Sequence, residues 1–334
     1  MRAVRTPMIA LGLALLSGCS GPTLAPTTPK ETPTAELPVP EGAPTPMLEV
    51  PRAAPKALDG VDTDRLVDRE RRIWWNLVSQ LYAPCTDQAV SIAQCVEDAR
   101  PCVACKPAAA LLAAKVREGA TPDQGQEIYA TRFGPAKKLV DAADSPSKGP
   151  ADAPVQILVW SDFQCPHCRV AMPVLDEVQK KYAPRVRLVH KFYPLKMHTD
   201  AEPAARAAIA AQNQGHYWEM EHLLFSHQSE QTATDLDHYA AEIKLDLKRF
   251  HADLQDGKTS HIIERDRDDA DRVGLSGTPF ILINGREFDT RFFHVEIDLD
   301  PWVALELELS TKAKGAPAEK AAEAPSPVAR PAAP

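Results

Sequence analysis

Val155-Gln156-Ile157-Leu158-Val159-Trp160, followed after four residues by Cys165-Pro166-His167-Cys168 and then by a helical pattern over 169–182, is the stretch on which the fold turns. A short apolar run reads as a buried strand, and the two cysteines then sit on the first turn of the helix entered from it. That placement suits thiol chemistry. Helix N-terminal N–H groups and the positive end of the helix dipole favour a thiolate at Cys165 over its thiol. A free cysteine titrates near about 8.5, so a thiolate held in this way is largely ionised at neutral pH. His167 adds a donor or a partial positive charge beside it. A stable thiolate leaves a mixed disulfide readily and stabilises the dithiol, which makes the corresponding disulfide oxidising. The competing readings are a structural disulfide or half of a zinc site. A structural zinc site normally needs a second ligand pair, and no Cys-x-x-Cys follows Cys168.

Outward from the motif the pattern continues in a definite order. A second strand is expected over 186–193, then helices over 202–212, 217–226, 236–243 and 260–273. A short strand over 279–283 reaches Asn284-Gly285, a strong hairpin signal, with 286–288 pairing back and a closing helix over 302–312. Strand, helix, strand, two antiparallel strands and a helix make an α/β thioredoxin core with a helical insertion. Its span is 154–312, and a small all-α region containing four cysteines precedes it at 59–144.

These residues resemble the DsbA-like thiol-disulfide oxidoreductases. The likeness runs through Trp160-Ser161-Asp162-Phe163-Gln164-Cys165-Pro166-His167-Cys168, Phe192-Tyr193-Pro194-Leu195, Gln214-Gly215-His216-Tyr217-Trp218-Glu219-Met220 and Gly277-Thr278-Pro279-Phe280. It implies a protein disulfide oxidoreductase whose catalytic residues are Cys165, Pro166, His167 and Cys168, with a redox-active disulfide and neither cofactor nor metal. It also implies that Pro279 is a cis-proline facing the disulfide and that Thr278 lines the substrate site. Pro279 lacks an amide donor, and the Thr278 backbone is then free to pair with an extended substrate segment. In direction the resemblance favours a dithiol oxidase for secreted or periplasmic thiol proteins, reoxidised by a DsbB-like quinone-linked membrane protein. A reductase or isomerase fed by a membrane reductase is the alternative, and a non-catalytic holdase or adaptor is a further one. One departure concerns the strand over 155–160. Many thioredoxin-like proteins bury an acid there, and here none is present; Asp162 is the nearest carboxylate.

The amino terminus bears on compartment. Arg2 and Arg5 precede an apolar stretch over 8–16, too short to span a bilayer but suited to a signal h-region. Leu16-Ser17-Gly18-Cys19 resembles a bacterial lipobox, which implies a signal peptide at 1–18, lipidation of Cys19 and a periplasmic, membrane-anchored lipoprotein. Ser20 after the cysteine resembles the outer-membrane sorting pattern. A plain signal peptide with an incidental Cys19 is the alternative. Cys19 aside, the seven cysteines leave an even set, suited to an oxidising compartment.

Composition divides the rest. Residues 19–58 are Pro-rich with few large apolar side chains and read as a disordered tether, and 313–334 read as a disordered Ala/Pro tail. Residues 145–153 carry linker chemistry. The net charge of −8, without a basic patch, offers nothing to nucleic acid.

Within 59–144, Leu66, Ile73, Leu77 and Leu81 recur at helical spacing over 64–82, widened by Trp74 and Val78. Trp74 and Trp75 read as core. A second helix is expected over 108–117. A third starts at Thr121 as N-cap, with Pro122 next and Gln124 closing a capping box, and stops at Gly134-Pro135. Cys85, Cys95, Cys102 and Cys105 lie in the connections. Four cysteines allow three pairings, and the spacing does not choose among them. Stapling disulfides are one reading; a second redox pair at Cys102-Val103-Ala104-Cys105 is the other. The region resembles the helical hairpin of CcmH-like thiol reductases of cytochrome c maturation, through Leu81-Tyr82-Ala83-Pro84-Cys85, Ser91-Ile92 and 116–134. Ala83 stands where that family carries its first cysteine. Two further clusters read as surface: His216, Glu219, His222 and His227, which form no His-Glu-x-x-His arrangement, and the charge run over 264–269.

Overall fold

The computed structural model describes residues 54–315. The expected signal peptide, Cys19, most of the tether and most of the tail lie outside the described residues.

The helical region holds four helices: α1 (Asp68–Gln80), α2 (Ile92–Glu97), α3 (Cys105–Arg117) and α4 (Pro122–Phe133). α1 begins four residues later than its apolar spacing suggests. Asp62 and Thr63 close turns onto Asp64 and Leu66, and Glu70 accepts from the Val67 N–H at 3.1 Å to start the helix. α2 is six residues long, and Ser91 caps it by accepting from the Gln94 N–H at 3.1 Å. Thr121 and Gln124 form the reciprocal capping box of α4, and Gly134 ends it. Trp74 and Trp75 are buried among Leu77, Val78, Leu112 and Val116, and the Trp74 indole donates to the Ala109 carbonyl at 2.9 Å.

The second region is built on a five-stranded sheet of order β1-β3-β2-β4-β5. Its elements are β1 (Ser147–Lys148), β2 (Val155–Ser161), α5 (Pro166–Tyr182), β3 (Val186–Phe192), then α6 (Ala201–Gln212), α7 (Tyr217–Ser226), α8 (Ala233–Glu242), α9 (Leu247–Gln255) and α10 (Gly257–Val273), and finally β4 (Phe280–Ile283), β5 (Arg286–Glu287) and α11 (Val295–Gly315). β2 runs parallel to β3 and antiparallel to β4, and β4 turns into β5 through Asn284 and Gly285, both at positive φ. β2 is apolar throughout because both faces are covered. Val155, Ile157 and Val159 join the main core with α5 and α11, while Leu158 and Trp160 pack against α10.

Three expectations are corrected here. Ser147 and Lys148, read as linker, pair with Val189 and Leu188 as an antiparallel edge strand. The closing helix runs further at both ends, because Asp298 accepts from the His294 N–H at 2.8 Å and so begins the helix before Pro301; it ends at Gly315, inside the expected tail. The charge run over 264–269 is not a solvated face. Asp266 and Asp269 are buried against Lys191 of β3 at 3.1 and 2.9 Å, and Asp266 also accepts from the Phe192 N–H. A charge pattern alone cannot show that β3 places a buried lysine opposite it.

The two regions share one packed body. Ile128 of α4 belongs to the main core, and Leu305 of α11 to the helical core. Arg132 of α4 meets Glu306 of α11 at 2.7 Å, donates to the Trp302 carbonyl at 3.2 Å and lies 4.3 Å over the Trp302 ring. Asn284 donates to the other oxygen of Glu306 at 3.3 Å. All three side chains of the Arg132, Glu306 and Trp302 group are buried.

Candidate active site

β2 delivers the chain to Cys165, which is the N-cap of α5, and Pro166 occupies the first helical position, where its missing N–H costs no helical bond. Both thiols are free in the structure. They are unequal: Cys165 keeps 4% of its surface, and Cys168, one turn inside, keeps none. The Cys165 pKa falls to about 5. The largest cause is the Cys168 S–H directed at its sulfur, followed by the Thr278 side chain and the backbone N–H groups of Cys168 and His167, all working against burial. The Cys168 thiol is pushed well above the ordinary range, first by burial and then by the neighbouring Cys165 sulfur. One cysteine is thus held ready as a thiolate while the other keeps its proton.

Thr278 and Pro279 lie against the pair, joined by a cis peptide. The Cys165 sulfur lies 3.4 Å from the Thr278 carbonyl oxygen. The Thr278 hydroxyl is buried without a hydrogen-bond partner in this conformation, and its nearness to the Cys165 sulfur lowers that thiol's pKa. His167 acts differently from the expectation drawn from its side chain: its backbone N–H serves Cys165, while its exposed imidazole lines a groove of about 330 Å³ beside the thiols. Val170, Thr278, Pro279, Phe293, His294 and Glu296 line the same groove.

Asp162 does not face the sulfurs with its carboxylate. That group accepts from the Gln164 and Leu195 N–H groups at 2.7 and 2.8 Å and meets His198 Nδ1 at 2.7 Å, which ties the loop after β3 to the motif. Only the Asp162 backbone N–H reaches Cys168. Sequence reading missed the clamps on the motif. Gln228 donates to the Phe163 and Cys165 carbonyls at 2.8 and 2.9 Å, Gln231 donates to the Phe163 carbonyl at 3.3 Å, and Gln164 exchanges two bonds with Asp200. His190 is a further buried group, 2.5 Å from the Ser161 hydroxyl, and burial lowers its pKa to about 3, so it is neutral. A glutamine in a polar loop carries no signal until the fold shows what it touches.

Residues 141–294 match the family model described as thioredoxin. The sheet and its covering helices have a thioredoxin-like fold. Among curated relatives, the chain resembles the Na(+)/H(+) antiporter NhaA 3 of Salinispora tropica, 43% identical over 140 residues, covering 42% of this chain and 21% of that protein. It also resembles NhaA 1 of Mycolicibacterium gilvum, 35% identical over 142 residues, covering 42% of this chain and 23% of that protein. The chain therefore spans about a fifth of the length of these relatives. Similar solved structures include a thioredoxin-like oxidoreductase from Silicibacter pomeroyi, with 24% identity, a TM-score of 0.45 and coverage of 56% of this chain and 98% of that one. BdbD from Bacillus subtilis is another, with 19% identity, a TM-score of 0.42 and coverage of 52% and 95%.

The helical region buttresses the wall of the groove. Lys115 of α3, itself buried, meets Asp298 of α11 at 3.0 Å and lies 5.4 Å over the Phe293 ring. Lys115→Met should raise KM for a reduced protein substrate by about tenfold, the equivalent of about 1.4 kcal/mol, because the wall loses its anchor. Reaction with dithiothreitol, which needs no groove, should be unchanged; an equal loss with both substrates contradicts the anchoring role.

Within the helical region, Cys85 is joined to Cys102 and Cys95 to Cys105. The expected alternative of a Cys102–Cys105 redox pair is therefore not the pairing observed. Cys102 lies just ahead of α3 with Cys85 against it, and Cys105 faces α2, which carries Cys95. At the surface, His216 meets Glu219 and His227 meets Glu230, each at 3.3 Å. Among the described residues, no helix is long and apolar enough to cross a membrane.

Thr278→Val removes the buried hydroxyl that serves the thiolate. A hydrogen bond to a charged group contributes about 1.5–3 kcal/mol, so the Cys165 pKa should rise by roughly 1–2. Thiolate absorbance near 240 nm, followed against pH in the reduced protein, reads this directly, and an unmoved midpoint rules the hydroxyl out. The sign for stability follows from the depressed pKa. The thiolate stabilises the folded dithiol fully above the unfolded thiol range near about 8.5, progressively less as pH falls, and not at all below about 5.

Proposed function

We propose that this chain is an extracytoplasmic DsbA-like dithiol oxidase that introduces disulfides into secreted or periplasmic proteins. The observation that carries the reading is the asymmetry of the pair, with Cys165 at about 5 and almost buried, and Cys168 protonated and wholly buried. In the disulfide form, a client thiolate attacks the Cys165 sulfur. A client–Cys165 bond forms, the Cys165–Cys168 bond breaks, and Cys168 leaves with the electron pair and takes up a proton. A second client thiolate then attacks the client sulfur of the mixed disulfide. The client disulfide forms and Cys165 leaves as a thiolate, for which its surroundings are arranged. The client loses two electrons and the pair gains them. The groove and the Thr278 backbone hold the client as an extended segment.

Reoxidation falls to a DsbB-like quinone-linked membrane protein, and lipidation at Cys19 keeps the enzyme at the membrane surface, with the outer membrane favoured by Ser20. A reduced two-cysteine model protein tests the activity. The oxidised enzyme should form its disulfide stoichiometrically, and an enzyme that leaves the substrate reduced contradicts the proposal. Incorporation of a fatty-acid label, lost in Cys19→Ala, tests the anchor.

A further inference from the structure

The two disulfides of the helical region are packed sulfur against sulfur. The Sγ atoms of Cys95, Cys102 and Cys105 all lie within 4.8 Å of one another, so Cys102, bonded to Cys85, sits beside both sulfurs of the Cys95–Cys105 bond. Access is unequal. Cys85 is half-buried, whereas Cys95, Cys102 and Cys105 keep 1%, 6% and 2% of their surface. An external thiolate therefore reaches this group at Cys85, and the sulfur it displaces is Cys102. That sulfur stands at the entrance of the 13-residue helix α3, of which Cys105 is the first residue, where N–H groups and the helix dipole favour a thiolate.

We propose that these four cysteines form a second exchange centre, entered at Cys85, in which Cys102 passes the attack inward to Cys105. In the first step a dithiol's thiolate bonds to Cys85, the Cys85–Cys102 bond breaks, and Cys102 leaves with the electron pair. Next, the Cys102 thiolate attacks the Cys105 sulfur. Cys102–Cys105 forms, Cys95–Cys105 breaks, and Cys95 leaves as a thiolate. Finally the second sulfur of the dithiol attacks its own mixed disulfide and releases Cys85. The dithiol has lost two electrons, Cys85 and Cys95 carry the two protons it gave up, and one disulfide remains at Cys102–Cys105. That product places a Cys-x-x-Cys pair at a helix entrance, as Cys165 and Cys168 are placed. The proposal depends only on the packing of these sulfurs and stands apart from the oxidase reading.

Full-length protein carrying Cys165→Ser and Cys168→Ser isolates the group. It is treated with a single equivalent of dithiothreitol, quenched in acid, alkylated and mapped by peptide mass. The dominant two-thiol species should be alkylated at Cys85 and Cys95, with Cys102 linked to Cys105. Alkylation at Cys85 and Cys102 with Cys95–Cys105 intact, any other dominant two-thiol species, or loss of both disulfides together overturns the proposal. Cys85→Ser gives an independent reading without a reductant. Its unpaired Cys102 should exchange with the neighbouring bond to yield Cys102–Cys105 and a free Cys95, and Cys95–Cys105 found alone contradicts the inward step.

Discussion

Cys168→Ser should trap client proteins: once its Cys165 is charged as a mixed disulfide with oxidised glutathione, a client thiolate attacks the Cys165 sulfur and glutathione leaves as a thiolate. The client–Cys165 adducts should accumulate as high-mass bands on non-reducing gels, and turnover with a reduced model protein should fall to background. The cause lies in the geometry of the pair. Cys165 retains the 4% exposure through which a client sulfur reaches it, and it keeps Thr278 and two backbone N–H groups as donors to its thiolate. Cys168 has no exposed surface, and burial holds its proton in place. Without Cys168 no internal thiol can attack the mixed disulfide and reverse the first step. Cys165→Ser should lose turnover equally but form no adducts, because the remaining thiol is protonated and out of reach. Adducts of equal abundance from the two variants would falsify the assignment of roles.

Arg132→Met should destabilise the folded protein by about 3 kcal/mol in equilibrium chemical denaturation, since it leaves the buried Glu306 carboxylate with only the longer contacts to Asn284 at 3.3 Å and Arg286 at 3.6 Å. Burial already draws the Arg132 pKa down to about 10, a measure of the desolvation that Glu306 and the Trp302 carbonyl offset. The double variant Arg132→Met with Glu306→Leu should recover much of that loss, because it removes both charges and fills the space. A single-variant cost below about 1 kcal/mol, the range of exposed ion pairs, contradicts the view that α4 and α11 are locked together.

Much of the fold was legible because its signals are local. The apolar run at β2, the two cysteines after it, Asn284-Gly285, and the Thr121–Gln124 capping box each report their own conformation, and each element lies within a few residues of its expected place. What escaped reading depends on partners distant in sequence. β1 exists only because Val189 and Leu188 present an edge to two residues of linker composition. Asp266 and Asp269 look solvated until Lys191 is placed opposite them. The cysteine pairing in the helical region follows from how α2 packs on α3, which spacing does not encode. At the site, Cys165, Cys168, Thr278 and Pro279 come together from positions that sequence marked, whereas the supports supplied by Gln228, Gln231 and Lys115 are single polar residues without a local signature.

The direction of the reaction is tested most directly by the reduction potential of the Cys165–Cys168 couple. It is obtained by equilibrating the full-length protein with glutathione buffers and quantifying that pair alone, by alkylation and peptide mapping. A thiolate stabilised as strongly as that of Cys165 favours the dithiol, so the potential should lie near the strongly oxidising DsbA value of about −120 mV. A potential at or below the thioredoxin value of about −270 mV would contradict the oxidase and leave a reductant in its place.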